Sequence, residues 1–300
     1  MWTAGMRIAW LAALSVAACG GGGGEVAGRP IVVATTTIVG DIVRSVAGDT
    51  VDVVTLLAPG ADPHEYAPVP ADVQALSRAQ IVFAGGAGLE PWLPDLLDSA
   101  GATAPVHNLS HGVTLRRLND GGSGTADPHV WFDVAHVIRF VGQVQESLVA
   151  ADERNAEAYR ANAEAYQAQL RELDAWIVAQ VDRLPPDRRR LVTNHDTLGY
   201  FAARYGFEVL GTVFSAVGAD ASPSPQQVAG LIDAIRRAGV KAVFTENTLN
   251  HDLAGTIARE AGVTVVSQLY TDALGAPGSP ADTYIDLMRY DVRTIVEALK

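Results

Sequence analysis

Residues 152–184 impose the tightest constraint on the chain. Apolar side chains recur there at Tyr159, Tyr166, Leu170, Leu173, Ile177, Val181 and Leu184, with Glu, Arg and Gln between them. Steps of three, four or seven keep one face of a helix apolar and leave the remainder to solvent. Pro185 and Pro186 end the pattern, since proline lacks an N–H and disfavours helix in the residue before it. At about 1.5 Å per residue such a helix would run roughly 50 Å, more than a small domain is wide. The pattern therefore predicts a helix that spans two lobes.

The flanks of the helix agree with that division. Before it the chain reads VDVVTLLAPGAD, PVPADVQAL and AQIVFAGGAG; after it come FEVLGTVFSAVGAD, PSPQQVAGL and VKAVFTENTL. Both sides run apolar strand, Gly-Ala-Asp, Pro-x-Pro, helix and second strand, a degenerate internal repeat. The expected fold is α/β: two similar lobes, each a mostly parallel four-stranded sheet with flanking helices, joined by one long rigid helix. In the first lobe, strands are expected at 31–36, 51–57, 81–84 and 106–109, with helices at 38–46 and 70–77. In the second, strands are expected at 191–194, 209–213, 242–245 and 263–267, with helices at 225–238 and 253–261. Gly85-Gly86-Ala87-Gly88 misses the spacing of a dinucleotide fingerprint, and Pro91 and Trp92 stand where a phosphate-binding helix would begin. It reads as a turn.

Thirty-four acidic against 22 basic residues give a net charge of −12, which argues against nucleic acid as a partner. The single cysteine, Cys19, excludes an internal disulfide. It follows Arg7, an apolar run at 8–16 and two alanines, the layout of a secretory signal, and Val-Ala-Ala-Cys resembles a bacterial lipobox. The expected organisation is a signal peptide at 1–18, a lipidated Cys19 with a Gly-rich tether to 29, a first lobe at 30–133, a helical region at 134–186 and a second lobe at 187–300. The folded part is then extracytoplasmic, anchored by lipid to the outer face of the cytoplasmic membrane.

Four residues stand out as ligands. Asp62-Pro63-His64 follows the second strand, and Asp127-Pro128-His129 repeats the tripeptide after the fourth. Proline fixes its own φ and biases its neighbour to extended geometry, so each imidazole is offered from a stiff backbone. His195 leads directly out of the first strand after the long helix, and Asp272 follows the last strand in the position that His129 holds in the first lobe. His107 and His111 flank a strand end, and His136 reads as packing in a helical region. Three imidazoles and one carboxylate can close a tetrahedral shell around Zn²⁺; a closed shell suits binding, because catalytic zinc keeps a position for water.

The segments GADPHEYAP, GAGLEPWL, DPHVWFD, TNHDTLGYFAARYG, FTEN and YTDALG together resemble, in order, the motifs of the cluster A-I substrate-binding proteins of metal ABC transporters. The resemblance covers nearly all of the chain after the tether. It implies His64, His129, His195 and Asp272 as metal ligands held between two lobes, and it implies an ABC permease and its cytoplasmic ATPase as partners of a monomeric binding protein. Histidine at the third ligand position, residue 195, is typical of the zinc-binding members, whereas manganese or iron binders typically carry Glu there. Zn²⁺ is therefore expected, with Mn²⁺ or Fe²⁺ as the alternative. The long His-rich loop of many zinc members is missing around 121–124. Glu246 and Asp62 are candidates to support the ligands, and the open-to-closed change is expected to be a small loop shift carrying Asp272 or His195. Binding is expected to weaken as pH falls towards about 6, where ordinary imidazoles protonate. Rival readings are a secreted metal-dependent hydrolase, for which no His-Glu-x-x-His or Gly-x-Ser-x-Gly motif is present, and a surface adhesin.

Overall fold

The computed structural model describes residues 1, 29–118, 124–214, 223–248 and 252–300. Cys19 with the expected signal and tether, the loop at 119–123 and the second Gly-Ala-Asp at 218–220 lie outside the described residues.

In the first lobe β1 (Ile31–Ala34), β2 (Asp52–Thr55), β3 (Ile81–Ala84) and β4 (Val106–Asn108) form one parallel sheet in the order β2-β1-β3-β4. Val32 pairs with Val53 on one side and with Ile81 on the other. The two central strands are apolar throughout because both their faces are covered, and Val33, Ala34, Val82, Phe83 and Ala84 are all buried. The connecting helices are α1 (Thr37–Ala47), α2 (Pro70–Ser77) and α3 (Leu93–Ala100). The Thr36 hydroxyl starts α1 by accepting the Val39 N–H at 3.2 Å. α3 was not anticipated from sequence; it begins just past Pro91, a residue compatible with the entry to a helix but not with its interior.

The connecting region holds α4 (Val134–Ala151) and α5 (Ala156–Val181). The long helix is shorter than expected: its 26 residues give about 39 Å rather than 50 Å. Asp152 explains the late start. It ends α4 through its backbone N–H to Leu148, and its carboxylate accepts the Asn155 amide at 2.6 Å, so the chain turns before α5 begins. At the other end Arg189 caps the exit by donating Nε and Nη2 to the Leu184 carbonyl at 3.1 and 3.0 Å.

In the second lobe β5 (Arg190–Thr193), β6 (Glu208–Thr212), β7 (Ala242–Glu246) and β8 (Thr264–Leu269) alternate with α6 (Gly199–Tyr205), α7 (Pro225–Ala238) and α8 (Asp252–Ala261). The pairings are parallel, but among the described residues they make two pairs, β5-β6 and β7-β8, with β5 lying beside β7, where a single four-stranded ladder is expected from the sequence. A register shift interrupts each pair, next to Val192 and Glu246 respectively, and such irregularities bend a strand and break its ladder locally. A terminal helix, α9 (Tyr284–Leu299), absent from the elements expected from sequence, packs on α5 and touches α1.

One apolar core runs through both lobes. It includes Phe83 and Val130 from the first, Leu191, Phe244 and Leu269 from the second, and Leu170, Leu173 and Ile177 of α5 between them. The outer part of the second lobe has a separate core of Val192, Ile235, Val243 and Ile257 beneath α7 and α8. Among the described residues no helix is long and apolar enough to cross a membrane.

Leu170 is fully buried on α5, whereas Val178 on the same helix is 46% exposed. Urea denaturation of Leu170→Ala is expected to show a loss of about 2–5 kcal/mol, the range for a core cavity. Val178→Ala is expected to stay within about 0.5 kcal/mol of the parent.

Candidate metal site

Both Asp-Pro-His tripeptides make the same turn. The Asp62 carboxylate accepts the His64 N–H at 2.8 Å, and the Asp127 carboxylate accepts the His129 N–H at 3.0 Å. A short carboxylate bonding the backbone two residues ahead locks a turn that proline has already stiffened. The His64 loop has a further tie, the Trp92 indole N–H donating to the Pro63 carbonyl at 2.7 Å. Trp92 is carried by the turn that begins at Gly85, where Gly86, Ala87 and Gly88 all have positive φ. The amides of Gly85 and Gly86 donate to the buried Glu90 carboxylate at 2.8 and 3.1 Å, and Thr35 donates to it at 2.6 Å. The turn's amides are thus taken up by a side-chain carboxylate of the same chain.

His195 stands two residues past β5 and Asp272 three past β8, at the carboxyl ends of parallel strands where open α/β sheets present ligands. The donor atoms of His64, His129, His195 and Asp272 converge, all within 4.8 Å of one another. His64 Nε2 is 3.2 Å from His129 Nε2, and Asp272 stands 3.5 Å from His129 Nε2 and 3.4 Å from His195 Nε2. Bonds of about 2.0–2.1 Å to a tetrahedral ion put neighbouring donors about 3.3–3.4 Å apart, so these separations suit one ion. His129, His195 and Asp272 are buried, and His64 is partly exposed. His195 Nε2 and both Asp272 oxygens are buried without a hydrogen-bond partner. Orphaned polar atoms aimed at one point are costly unless a ligand joins them.

Carboxylates hold the imidazoles from behind. His129 Nδ1 lies 2.8 Å from Asp127. His195 Nδ1 stands 2.7 Å from Glu246 Oε2, a close ion pair off ideal hydrogen-bond alignment, and the His195 N–H donates to Glu246 Oε1 at 3.0 Å. Thr271, the neighbour of Asp272, donates to Glu246 Oε2 at 2.9 Å. Such outer partners fix ring orientation and raise ligand basicity.

The electrostatics divide the histidines. Burial, aided by the adjacent imidazoles of His129 and His195, pushes His64 down to about 2. Burial likewise carries His129 well below its ordinary value. Burial opposes protonation of His195 as well, but the Glu246 and Asp272 carboxylates outweigh it and raise the ring to about 9. Asp272 rises to about 7, chiefly through burial, with the Glu246 charge adding to it.

The histidines outside this cluster do other work. His107 faces Phe83 and contacts the Ser147 hydroxyl at 3.2 Å, His111 is exposed, and His136 donates to the Val130 carbonyl at 3.0 Å, the packing role expected of it. Sequence reading missed Asp127 as a ring partner and Thr271 and Trp131 as supports; only the repeated Asp at the first position of each tripeptide signalled the clamps.

Comparison with known proteins agrees with this architecture. Residues 32–298 match the family described as zinc-uptake complex component A, periplasmic. The manganese-binding lipoprotein MntA of Halalkalibacterium halodurans is 35% identical over 268 residues, 89% of this chain and 88% of its own length. The iron-binding protein YfeA of Yersinia pestis is 32% identical over 267 residues, covering 89% and 85%. The periplasmic zinc-binding protein TroA of Treponema pallidum superposes with a TM-score of 0.83 at 30% identity, covering 91% of this chain and 99% of its own. These are binding proteins and not enzymes, which removes the hydrolase reading. The chain therefore belongs to the zinc-uptake component A family, the substrate-binding proteins of metal ABC transporters.

Proposed function

We propose that this chain is the extracytoplasmic lipoprotein of a zinc importer: it captures Zn²⁺ through His64, His129, His195 and Asp272 and hands it to a membrane permease driven by a cytoplasmic ATPase. The observation that carries the reading is a largely buried set of three imidazoles and one carboxylate whose donor atoms lie within 4.8 Å of one another, three of them without a hydrogen-bond partner. Nitrogen-rich donors rank zinc well above manganese. TroA, bound in name to zinc, supports the choice. A second reading, Mn²⁺ or Fe²⁺, draws on the names of MntA and YfeA and on the two partnerless oxygens of Asp272, which could chelate an oxygen-seeking ion through both. Cys19 acts in this reading as the lipid-bearing residue of a protein that works as a single chain, in keeping with relatives named lipoproteins.

Competition titration of metal-free protein tests the choice of ion. Zn²⁺ outbinds Mn²⁺ at most sites of this kind, so the deciding readout beside the titration is the metal carried by protein isolated without chelator: zinc is expected, and manganese or iron would favour the second reading. His195→Ala is expected to weaken Zn²⁺ by more than about 100-fold, beyond the loss typical of an outer partner.

The pH profile follows from the same groups, with a window above the one expected from ordinary imidazoles. His64 and His129 are already neutral at pH 7, so proton competition comes from His195 near 9 and Asp272 near 7. Both are raised, and both must lose a proton to bind metal, so affinity falls with falling pH. Calorimetry is expected to show a loss of about tenfold per unit between pH 9 and 7, steepening below 7. A flat profile across pH 7–9 would mean that the His195 ring is already neutral there and that Glu246 and Asp272 do not hold a proton on it. Anchoring is checked separately: Cys19→Ser is expected to move the protein from the membrane fraction to the soluble one, with metal affinity unchanged.

A further inference from the structure

The two imidazoles that have carboxylates behind them are held in different ways, and the difference decides what each carboxylate does. Asp127 meets His129 through a single atom: Oδ1 accepts the backbone N–H at 3.0 Å and faces ring Nδ1 at 2.8 Å. Glu246 uses both oxygens. Oε1 accepts the His195 backbone N–H at 3.0 Å, while Oε2 faces His195 Nδ1 at 2.7 Å and accepts the Thr271 hydroxyl at 2.9 Å. Glu246 is the last residue of β7 and is wholly buried.

A neutral imidazole carries one N–H, and the group opposite one ring nitrogen selects the tautomer. The Glu246 carboxylate charge 2.7 Å from Nδ1, though off the line of a hydrogen bond, favours the proton on Nδ1 and leaves the lone pair on Nε2, the atom 3.4 Å from Asp272. We propose that Glu246 is a positioning residue that sets the metal-binding tautomer of His195 and, through Thr271, fixes the segment bearing Asp272. This rests on the reading of His195 as a ligand through Nε2. Glu246 would then govern both donors that the second lobe supplies without touching the ion.

The two-oxygen arrangement makes Glu246 intolerant of its amide analogue. In Glu246→Gln the backbone N–H of His195 requires an acceptor and claims the amide oxygen. The amide NH₂ is then left opposite Nδ1, where it donates, and the ring proton moves to Nε2, blocking the metal. Asp127→Asn has no such consequence, because one oxygen serves both bonds and can stay where it is.

The test is ¹⁵N NMR of the full chain labelled at histidine, beside competition titration with Zn²⁺. In the zinc-loaded parent, His195 is expected to hold its proton on Nδ1 and zinc on Nε2. Glu246→Gln is expected to weaken zinc about 10–100-fold, as loss of an outer partner does, and to show the Nε2–H tautomer when metal-free. Asp127→Asn is expected to keep the Nδ1–H tautomer of His129 and to lose less affinity than Glu246→Gln. Zinc on Nδ1 of His195 in the parent would overturn the proposal, and that measurement needs no variant to fold. Parent-like affinity in Glu246→Gln would overturn it too. If His195→Ala binds zinc as tightly as the parent, the ligand reading itself fails; if it binds weakly while Glu246→Gln is unaffected, only the present inference fails.

Discussion

The continuous apolar core along α5 is what allows four donors from distant parts of the chain to stay within bonding reach of one ion. Leu170, Leu173 and Ile177 are shared between the two lobes, so the lobes cannot separate without exposing that surface. Buried polar bonds then set the details. Trp131 of the first lobe donates its indole N–H to the Thr271 carbonyl at 3.0 Å, and Thr37 accepts the Leu274 N–H at 2.8 Å. Tyr284 at the head of α9 donates its hydroxyl to the Trp131 carbonyl at 2.7 Å and its N–H to Asp41 at 2.9 Å. Each such bond contributes only about 1 kcal/mol net, yet leaving one unmade inside the protein costs more. The segment carrying Asp272 therefore leans on the first lobe as firmly as on its own.

The same burial shapes the chemistry of the pocket. Removing water drives His64 and His129 to the neutral form that a metal ion requires. Glu246 would also be pushed towards neutrality by burial, but its interactions with His195 keep it ionised. Glu246 and Asp272 together supply two negative charges, the number that a divalent cation balances, while Asp127 has the guanidinium of Arg116 as a nearby countercharge. A closed low-dielectric site tolerates this many charged groups only where the sum is near zero.

Much of this was legible in the sequence because it depended on local rules. The period of the apolar residues from Tyr159 to Val181 gave α5, the β-branched runs gave the central strands, and the paired Asp-Pro-His tripeptides marked two of the four residues whose donor atoms converge. What escaped detection depended on tertiary context. The start of α5 was misjudged because Asp152 ends one helix and turns the chain before the next. The second sheet is split into two pairs, each with a register shift, beside Val192 and Glu246, and no period in the sequence reports either feature. The protonation of His195 depends on Glu246, 51 residues away in the chain; a sequence offers the partners but not their meeting.

The four donors are unevenly accessible. His129, His195 and Asp272 are at most 2% exposed, while His64 alone reaches partly into solvent. Were the cluster to take up an ion from solvent, His64 would be the donor it reaches before the three buried ones.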